Sequence, residues 1–344
     1  MSSAPHAKDS KPRILVTGAA GFIGARFVET CTERDIPTIA VDLLTHFKNR
    51  TEHHIFEFDN VVDRDGLSDW LELRQPHLQA IVHLGACTDT TQMDVAYLNR
   101  MNLEYSKMLW NYASRHKIPF IYASSAATYG EGELGYNDDE SLITRLKPLN
   151  PYGESKRLFD LWALDEEKKG NHPPSWAGFK FFNVYGYGER HKKKMASVVL
   201  HAFDQISQSG SVQLFQSHKD GIADGEQKRD FIFVQDLVKV IHFALSKPIP
   251  RGIFNLGTGQ ARTFLDLVNA TFIAMGRIPA ISFIPTPEHL KERYQYFTQA
   301  QMDRLRAEGY ARPFTSIEEG VADYVARLQK NQALAAKGDL RAEE

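Results

Sequence analysis

The chain has 344 residues, 42 % of them hydrophobic and 24 % charged, which excludes a disordered or fibrous protein and leaves room for two lobes. Lysine and arginine number 41 against 43 aspartates and glutamates, for a formal net charge of -2. This gives no basic footprint for nucleic acid and no attraction to an anionic membrane surface.

Residues 1–11 are polar, lack the apolar segment of a secretory signal, and read as a flexible tail. Ile14–Thr17 is a short β-branched run ending at a glycine, with a helical pattern from Phe22 to Arg34 behind it. Further strand patterns follow at Thr38–Asp42, Ala80–Leu84 and Pro119–Ser125, with a long helical stretch over Asp94–His116. Apolar runs alternating with helical segments imply parallel strands with crossover helices, a Rossmann-type doubly wound α/β fold. A helix over Pro151–Lys169 and a strand over Ala177–Val184 extend the alternation. Beyond them the rhythm breaks. A Lys192–Lys194 run, strand patterns at Val212–Phe215, Phe231–Val234 and Ile253–Leu256, and helices over Gln299–Glu308 and Ser316–Leu328 suggest a smaller mixed α/β C-terminal lobe. The expected division is 12–185 for the dinucleotide-binding domain and 186–330 for the substrate lobe, with part of 230–260 returning to the first. Residues 331–344 read as a second flexible tail. No apolar run approaches the roughly 20 residues of a spanning helix.

Cys31 and Cys87 form no CxxC pair, which argues against a disulfide framework or zinc ribbon and for a reducing, cytoplasmic setting. His53-His54 has nothing at metal-ligand spacing beside it, so no metal is expected. Cys87 reads as a small packed residue, without the partners of a nucleophile.

The segment from Thr17 to Gly24 is TGxxGxxG. Gly18 permits the tight turn, Gly21 lets the backbone approach a pyrophosphate, and Gly24 lets helix pack on strand. Asp42 closes the second strand, where a ribose hydroxyl contact would favour NAD. Lys48 and Arg64 lie downstream and could neutralise the 2′-phosphate of NADP, or could be solvated surface charges. Tyr152 and Lys156 form YxxxK, and residues four apart share a helix face. A neighbouring ammonium favours phenolate over phenol, which makes the tyrosine a usable base. Ser124-Ser125 ends a strand, and parallel sheets bind ligands outside those carboxyl ends. Ser125, Tyr152 and Lys156 thus read as a proton relay beside a dinucleotide.

TGxxGxxG, Ser124–Gly130 (SSAATYG), YxxxK and Arg229–Leu237 (RDFIFVQDL) together resemble the extended short-chain dehydrogenase/reductase family, which acts on nucleotide sugars. His83–Thr91 (HLGACTDTT), Phe181–Gly186 (FFNVYG), His191–Ser197 (HKKKMAS), Ile253–Gly259 (IFNLGTG) and Arg293–Ala300 (RYQYFTQA) resemble its ADP-heptose 6-epimerase branch, over about Ile14–Leu328. The resemblance implies epimerisation at C6 of ADP-D-glycero-D-manno-heptose by transient oxidation with NADP, in lipopolysaccharide precursor synthesis. It implies Tyr152 and Lys192 as two acid/base groups, Lys156 holding the tyrosine and the nicotinamide ribose, and Ser125 bonding the substrate oxygen. A charge run such as Lys192–Lys194 is otherwise a solvated face.

For the cofactor the resemblance assigns Phe22, Ile23, Asp42, Leu43, Leu84, Gly85, Ala86, Cys87, Thr88, Asn102 and Val184, beside the three glycines, Tyr152, Lys156 and Lys192. For the substrate it assigns Asn183, Lys194, His201, Phe215, Gln216, Ser217, His218, Arg229 and Tyr294. Leu43 replaces a usual asparagine and Lys194 a usual serine. The family commonly forms pentamers, so a homo-oligomer is expected. The alternatives are a 4-epimerase, which needs only one tyrosine, and a non-catalytic NADP-binding protein. A 4,6-dehydratase is disfavoured because Ala126-Ala127-Thr128 carries no carboxylate.

Overall fold

The computed structural model describes residues 11–336 except Pro248 and residues 292–294. The expected substrate residue Tyr294 and most of both tails therefore lie outside the described residues. In chain order the first elements are β1 (Arg13–Thr17), α1 (Phe22–Thr32), β2 (Thr38–Asp42), α2 (Leu44–Asn49), β3 (Val61–Asp63), α3 (Leu67–Arg74) and β4 (Leu78–His83). Next come α4 (Val95–Leu98), a π-helical stretch over Asn99–Glu104, α5 (Tyr105–Arg115), β5 (Phe120–Ser125), α6 (Pro151–Lys168) and β6 (Trp176–Phe181). The remainder is β7 (Asn183–Tyr185), α7 (Val198–Ser209), β8 (Val212–Phe215), β9 (Lys228–Phe233), α8 (Val234–Ser246), β10 (Gly252–Leu256), β11 (Ala261–Thr263), α9 (Phe264–Ala274), β12 (Ile281–Ile284), α10 (Glu288–Lys291), α11 (Asp303–Ala307) and α12 (Ile317–Ala336).

Seven strands form one sheet in the order β3-β2-β1-β4-β5-β6-β10, and every pairing in it is parallel. The order reverses between β1 and β4, the switch point where doubly wound sheets bind dinucleotides. Helices cover both faces, which is why the central strands are apolar without alternation: Ile14, Leu15 and Val16 of β1, and Ile39, Ala40 and Val41 of β2, are all buried. The densest packing is aromatic, with the Trp110 and Trp176 rings 5.0 Å apart and the Tyr122 and Phe159 rings 4.8 Å apart.

Smaller sheets build the second lobe. β9 pairs with β11 antiparallel and with β7 parallel, while β8 pairs with β12. The single strand expected at 177–184 is divided: β6 ends at Phe181, and Asn183 pairs with Phe231 in the other sheet. A continuous apolar run looks the same whether or not the chain changes sheets. The helix expected over Gln299–Glu308 shortens to α11, because Ala300 N–H donates to Asp230 at 2.9 Å and Gln301 N–H to Tyr136 O at 3.2 Å, holding that stretch extended. α12 continues to Ala336, beyond the tail boundary expected at 330. α9 (FLDLVNATFIA) is apolar on nearly every side, so its periodicity is faint.

Asp160 on α6 has no exposed surface, and Lys180 on β6 is 1 % exposed. Asp160 accepts from Tyr122 Oη at 3.0 Å, Ser124 Oγ at 2.7 Å and Lys180 Nζ at 3.0 Å. Removing one partner of a buried ion pair strands the other in low dielectric. Lys180→Met is therefore expected to lower unfolding free energy by about 3–5 kcal/mol, measured by urea denaturation; a loss below about 1 kcal/mol would show that the pair contributes little.

Candidate active site

The Gly18 turn has φ +67, and a Cβ there would lie 2.7 Å from Gly85 N, so the loop after β1 presses backbone to backbone on the loop after β4. A Cβ on Gly24 would lie 2.0 Å from Gly18 O, which is the close helix–turn contact that only glycine permits. Gly21 caps α1 without a side-chain hydrogen bond, leaving the first N–H groups of an 11-residue helix for an anion. These features fit a dinucleotide pyrophosphate.

A cavity of about 390 Å³ opens beside this turn. Its walls include, from the expected cofactor set, Gly18, Gly21, Phe22, Ile23, Gly24, Asp42, Arg64, Leu84, Gly85, Ala86, Cys87, Thr88 and Lys192. Lys48 does not line it: the residue is on the exposed face of α2, while His46 and Arg50, two residues before and two residues after, do line it. Sequence spacing alone cannot tell which basic residue of a short helix points inward. Leu43, Asn102, Tyr152, Lys156 and Val184 also stand outside the walls. Leu43 donates its N–H to Asp42 at 2.8 Å. Asn102 is buried behind the β4 loop, where its carboxamide takes Cys87 N–H at 2.8 Å and donates to Cys87 O at 3.0 Å and Ser155 Oγ at 2.9 Å. The π-helical stretch, which a heptad-like reading cannot anticipate, turns Asn102 inward.

Asp42 is fully engaged. Its carboxylate accepts from Ala20 N at 3.1 Å, Leu43 N at 2.8 Å and His46 Nδ1 at 2.7 Å. Burial works to raise its pKa, but the His46 and Leu43 hydrogen bonds prevail and hold it below the usual carboxylate range. Arg50 Nη1 donates to Ala20 O at 2.6 Å, crossing the glycine turn.

α6 begins at Asn150, whose side chain accepts Gly153 N–H at 2.8 Å, with Pro151 at the first helical position. That start presents Tyr152 and Lys156 on one face, both buried. Burial raises the Tyr152 pKa, and a hydrogen bond to Ser125 opposes the rise. Burial lowers Lys156 to about 8, with the Asp160 charge opposing, while Nζ donates to Ala123 O at 2.9 Å. The Cys87 thiol is pushed up by burial, in keeping with a packed residue.

Lys192 reaches the same cavity from a 3₁₀ segment, Arg190–Met195, its Nζ 5.3 Å from the Phe22 ring centroid. It is not part of a solvated face, whereas its neighbours Lys193 and Lys194 are exposed. His53 is not isolated either: Glu52, His53 and His191 put potential ligand atoms within 4.8 Å of one another, a grouping invisible in the sequence because His191 is far along the chain. Burial takes His53 to about 3, and the Arg26 charge adds to the effect. Arg26 and Arg327 both stand over the Tyr187 ring, so the local field opposes a cation, and within the cluster it is Glu52 and His191 that hydrogen-bond to each other.

The expected substrate residues divide between places. His201 and Phe215 line a second cavity of about 200 Å³ with Gln205, Gln227 and Phe264, and Arg229 stands 5.8 Å from the Phe264 ring centroid. Ser217 N–H donates to Asp224 at 2.7 Å and His218 N–H to Tyr296 Oη at 2.8 Å, which shapes the loop after Gln216. Asn183 and Lys194 are exposed.

A Rossmann sheet with a glycine turn at its switch-point cleft, and with a buried Tyr/Lys pair and a strand-end serine beside it, defines a dinucleotide-binding enzyme scaffold. Residues 14–257 match the family described as NAD dependent epimerase/dehydratase, and the chain belongs to it. The chain is 45 % identical over 323 residues to the ADP-L-glycero-D-manno-heptose-6-epimerase of Fusobacterium nucleatum, covering 91 % of this chain and 96 % of that one. It is 46 % identical over 319 residues to the enzyme of the same name from Nitratidesulfovibrio vulgaris, covering 91 % and 97 %. The crystal structure of the Helicobacter pylori ADP-L-glycero-D-manno-heptose-6-epimerase superposes with a TM-score of 0.76 at 26 % identity, over 95 % and 99 % of the two chains. The chain is thus an epimerase, an isomerase by class. Among the described residues no helix is long and apolar enough to cross a membrane.

Lys156 supplies a pH signature. Its folded pKa of about 8 lies below its unfolded value of 10.5, so the unfolded chain holds more protons between those values and stability gains as pH rises through them. Between pH 8 and 10.5 the wild type should gain stability relative to Lys156→Met, measured by denaturant midpoints across that range; parallel curves for the two proteins would contradict the buried, depressed ammonium.

Proposed function

We propose that this protein interconverts ADP-D-glycero-D-manno-heptose and ADP-L-glycero-D-manno-heptose by epimerisation at C6 with NADP, in the supply of heptose for lipopolysaccharide. The observation that carries the reading is a pair of separate candidate acid/base side chains about one dinucleotide cleft: Lys192 lines it over Phe22, and Tyr152 is buried behind its wall, close enough to Cys87 to feel that group. The names of the relatives support the substrate.

A nicotinamide held in this cleft would supply the removal of hydride from C6 and its return to the other face of the resulting carbonyl. The protein's residues manage the proton. One of Tyr152 and Lys192 takes the C6 hydroxyl proton as oxidation proceeds, and the other returns a proton to the oxygen after the carbonyl group has turned. Lys156 favours the phenolate of Tyr152 electrostatically, and Ser125 fixes the oxygen by hydrogen bonding. A 4-epimerase, which turns its whole sugar before one tyrosine, has no use for Lys192.

NADP is preferred to NAD because Asp42 already accepts three hydrogen bonds and has little capacity left for a ribose hydroxyl, while Arg50 and Arg64 line the cleft beside it. A guanidinium pairs with phosphate more strongly than with a neutral group. Arg64→Ala should weaken NADP about tenfold and leave NAD nearly unchanged, by calorimetric titration; equal losses for both would remove Arg64 from the 2′-phosphate site. The protein acts on a soluble nucleotide sugar in the cytoplasm as a homo-oligomer, with a pentamer expected by light scattering.

Proton NMR of ADP-D-glycero-D-manno-heptose with the purified protein tests the activity: the C6 diastereomer should appear, and its absence even with added NADP would overturn the substrate. Tyr152→Phe and Lys192→Ala should each lower kcat by at least about 100-fold. If Lys192→Ala keeps most of its turnover, Lys192 is not the second acid/base group.

A further inference from the structure

The segment that carries Lys192 is irregular. Lys193 has φ 50 and ψ -120, a left-handed conformation that side chains resist and that persists only where the surroundings hold it. Two carboxylates hold it here. Glu52, from the stretch after α2, accepts Arg190 N–H at 2.9 Å, His191 N–H at 3.1 Å and His191 Nδ1 at 2.7 Å. Glu189, with no exposed surface, accepts Ser197 N–H at 2.8 Å, the Ser197 hydroxyl and Tyr324 Oη at 3.2 Å. Lys192 Nζ stands 3.8 Å from the Glu189 carboxylate.

The two acids divide the work along the segment. Glu52 grips its start and Glu189 its end, so the backbone between them is fixed from both sides. Burial would raise the Glu52 pKa, but the hydrogen bonds from the His191 ring and from the His191 and Arg190 N–H groups bring it to about 2, so the grip is anionic near neutral pH. Neither residue lines the cofactor cavity. Glu52, however, is two residues from Arg50, which does, so the stretch bordering the cofactor is also the one that holds the lysine segment.

We propose that Glu52 and Glu189 are positioning residues that hold segment 189–197 so that Lys192 enters the reaction cleft. The proposal rests on the reading of Lys192 as an acid/base group. Since a displacement of about 1 Å costs on the order of 100-fold in rate, loss of either grip should reduce kcat and leave KM and NADP binding little changed.

The test uses full-length Glu52→Gln, Glu189→Gln and Lys192→Ala, together with the doubles Glu52→Gln/Lys192→Ala and Glu189→Gln/Lys192→Ala. Each glutamine variant should lose about 30–100-fold in kcat with KM and NADP affinity within about threefold, and Glu52→Asp should recover part of the loss. Each double should be no slower than Lys192→Ala alone, because the grip acts through that lysine. Further loss in the doubles, or a glutamine variant with near wild-type kcat, would overturn the proposal while leaving Lys192 as the base. A Lys192→Ala enzyme with near wild-type kcat would instead overturn the underlying reading. Should Glu189→Gln fail to fold, Glu52→Gln alone decides the matter, since Glu52 is at the rim of the cluster and only partly exposed.

Discussion

The hydrogen-bonded carboxylate of Asp160 is the constraint on which the catalytic geometry depends. It belongs to α6, the helix that carries Tyr152 and Lys156, and it binds side chains from β5 and β6. An anion buried in an apolar sheet is tolerated only when its lone pairs are satisfied. The helix therefore has one rotation and one height at which Asp160 meets Tyr122, Ser124 and Lys180 together. That setting brings Tyr152 against Ser125 and lets Lys156 reach Ala123 O. The Tyr152 phenol, proposed as an acid/base group, is placed by an ion pair it does not touch.

Lys192, the proposed second acid/base group, is placed differently. Lys192 is carried on a short, non-repetitive segment between β7 and α7, and no ladder of backbone hydrogen bonds fixes it. Side-chain carboxylates supply that order, and Arg190 adds a bidentate pair with Asp204 on α7 at 3.0 and 3.1 Å. The two lobes thus contribute unequal kinds of support: a helix clamped to two inner strands of the sheet on the tyrosine side, and a set of side-chain hydrogen bonds on the lysine side.

Much of the Rossmann half was legible from the sequence because its signals are local. Parallel strands are apolar throughout, and β2 falls at Thr38–Asp42 as its pattern predicts. The glycine turn is legible because each glycine answers a steric demand within a few residues. The second half was less legible: the amphipathic patterns of α7 and α8 stand among short strands and irregular loops with no repeating alternation to frame them, α9 is apolar on nearly every side, and β7 leaves the main sheet without any change in hydropathy. In the site, Lys48 drew attention as a nearby cation, yet Arg50 is the one turned inward. Glu52, His53 and His191 come together only through the tertiary fold, and no spacing rule could link residues so far apart in the chain.

Asp230 shows how a motif can be recognisable for structural reasons. In the RDF segment it is fully buried and accepts from Thr258 N and Oγ1, Gly259 N and Ala300 N, tying the loop after β10 to the stretch before α11. The proposed mechanism oxidises and re-reduces one carbon within a single site. Its most direct test is turnover of ADP-D-glycero-D-manno-heptose deuterated at C6, followed by mass spectrometry and NMR of the product. Deuterium retained at C6 of the inverted product, with none exchanged to water, is the predicted result. Loss of the label to solvent would contradict hydride removal and return, and would require deprotonation of carbon instead.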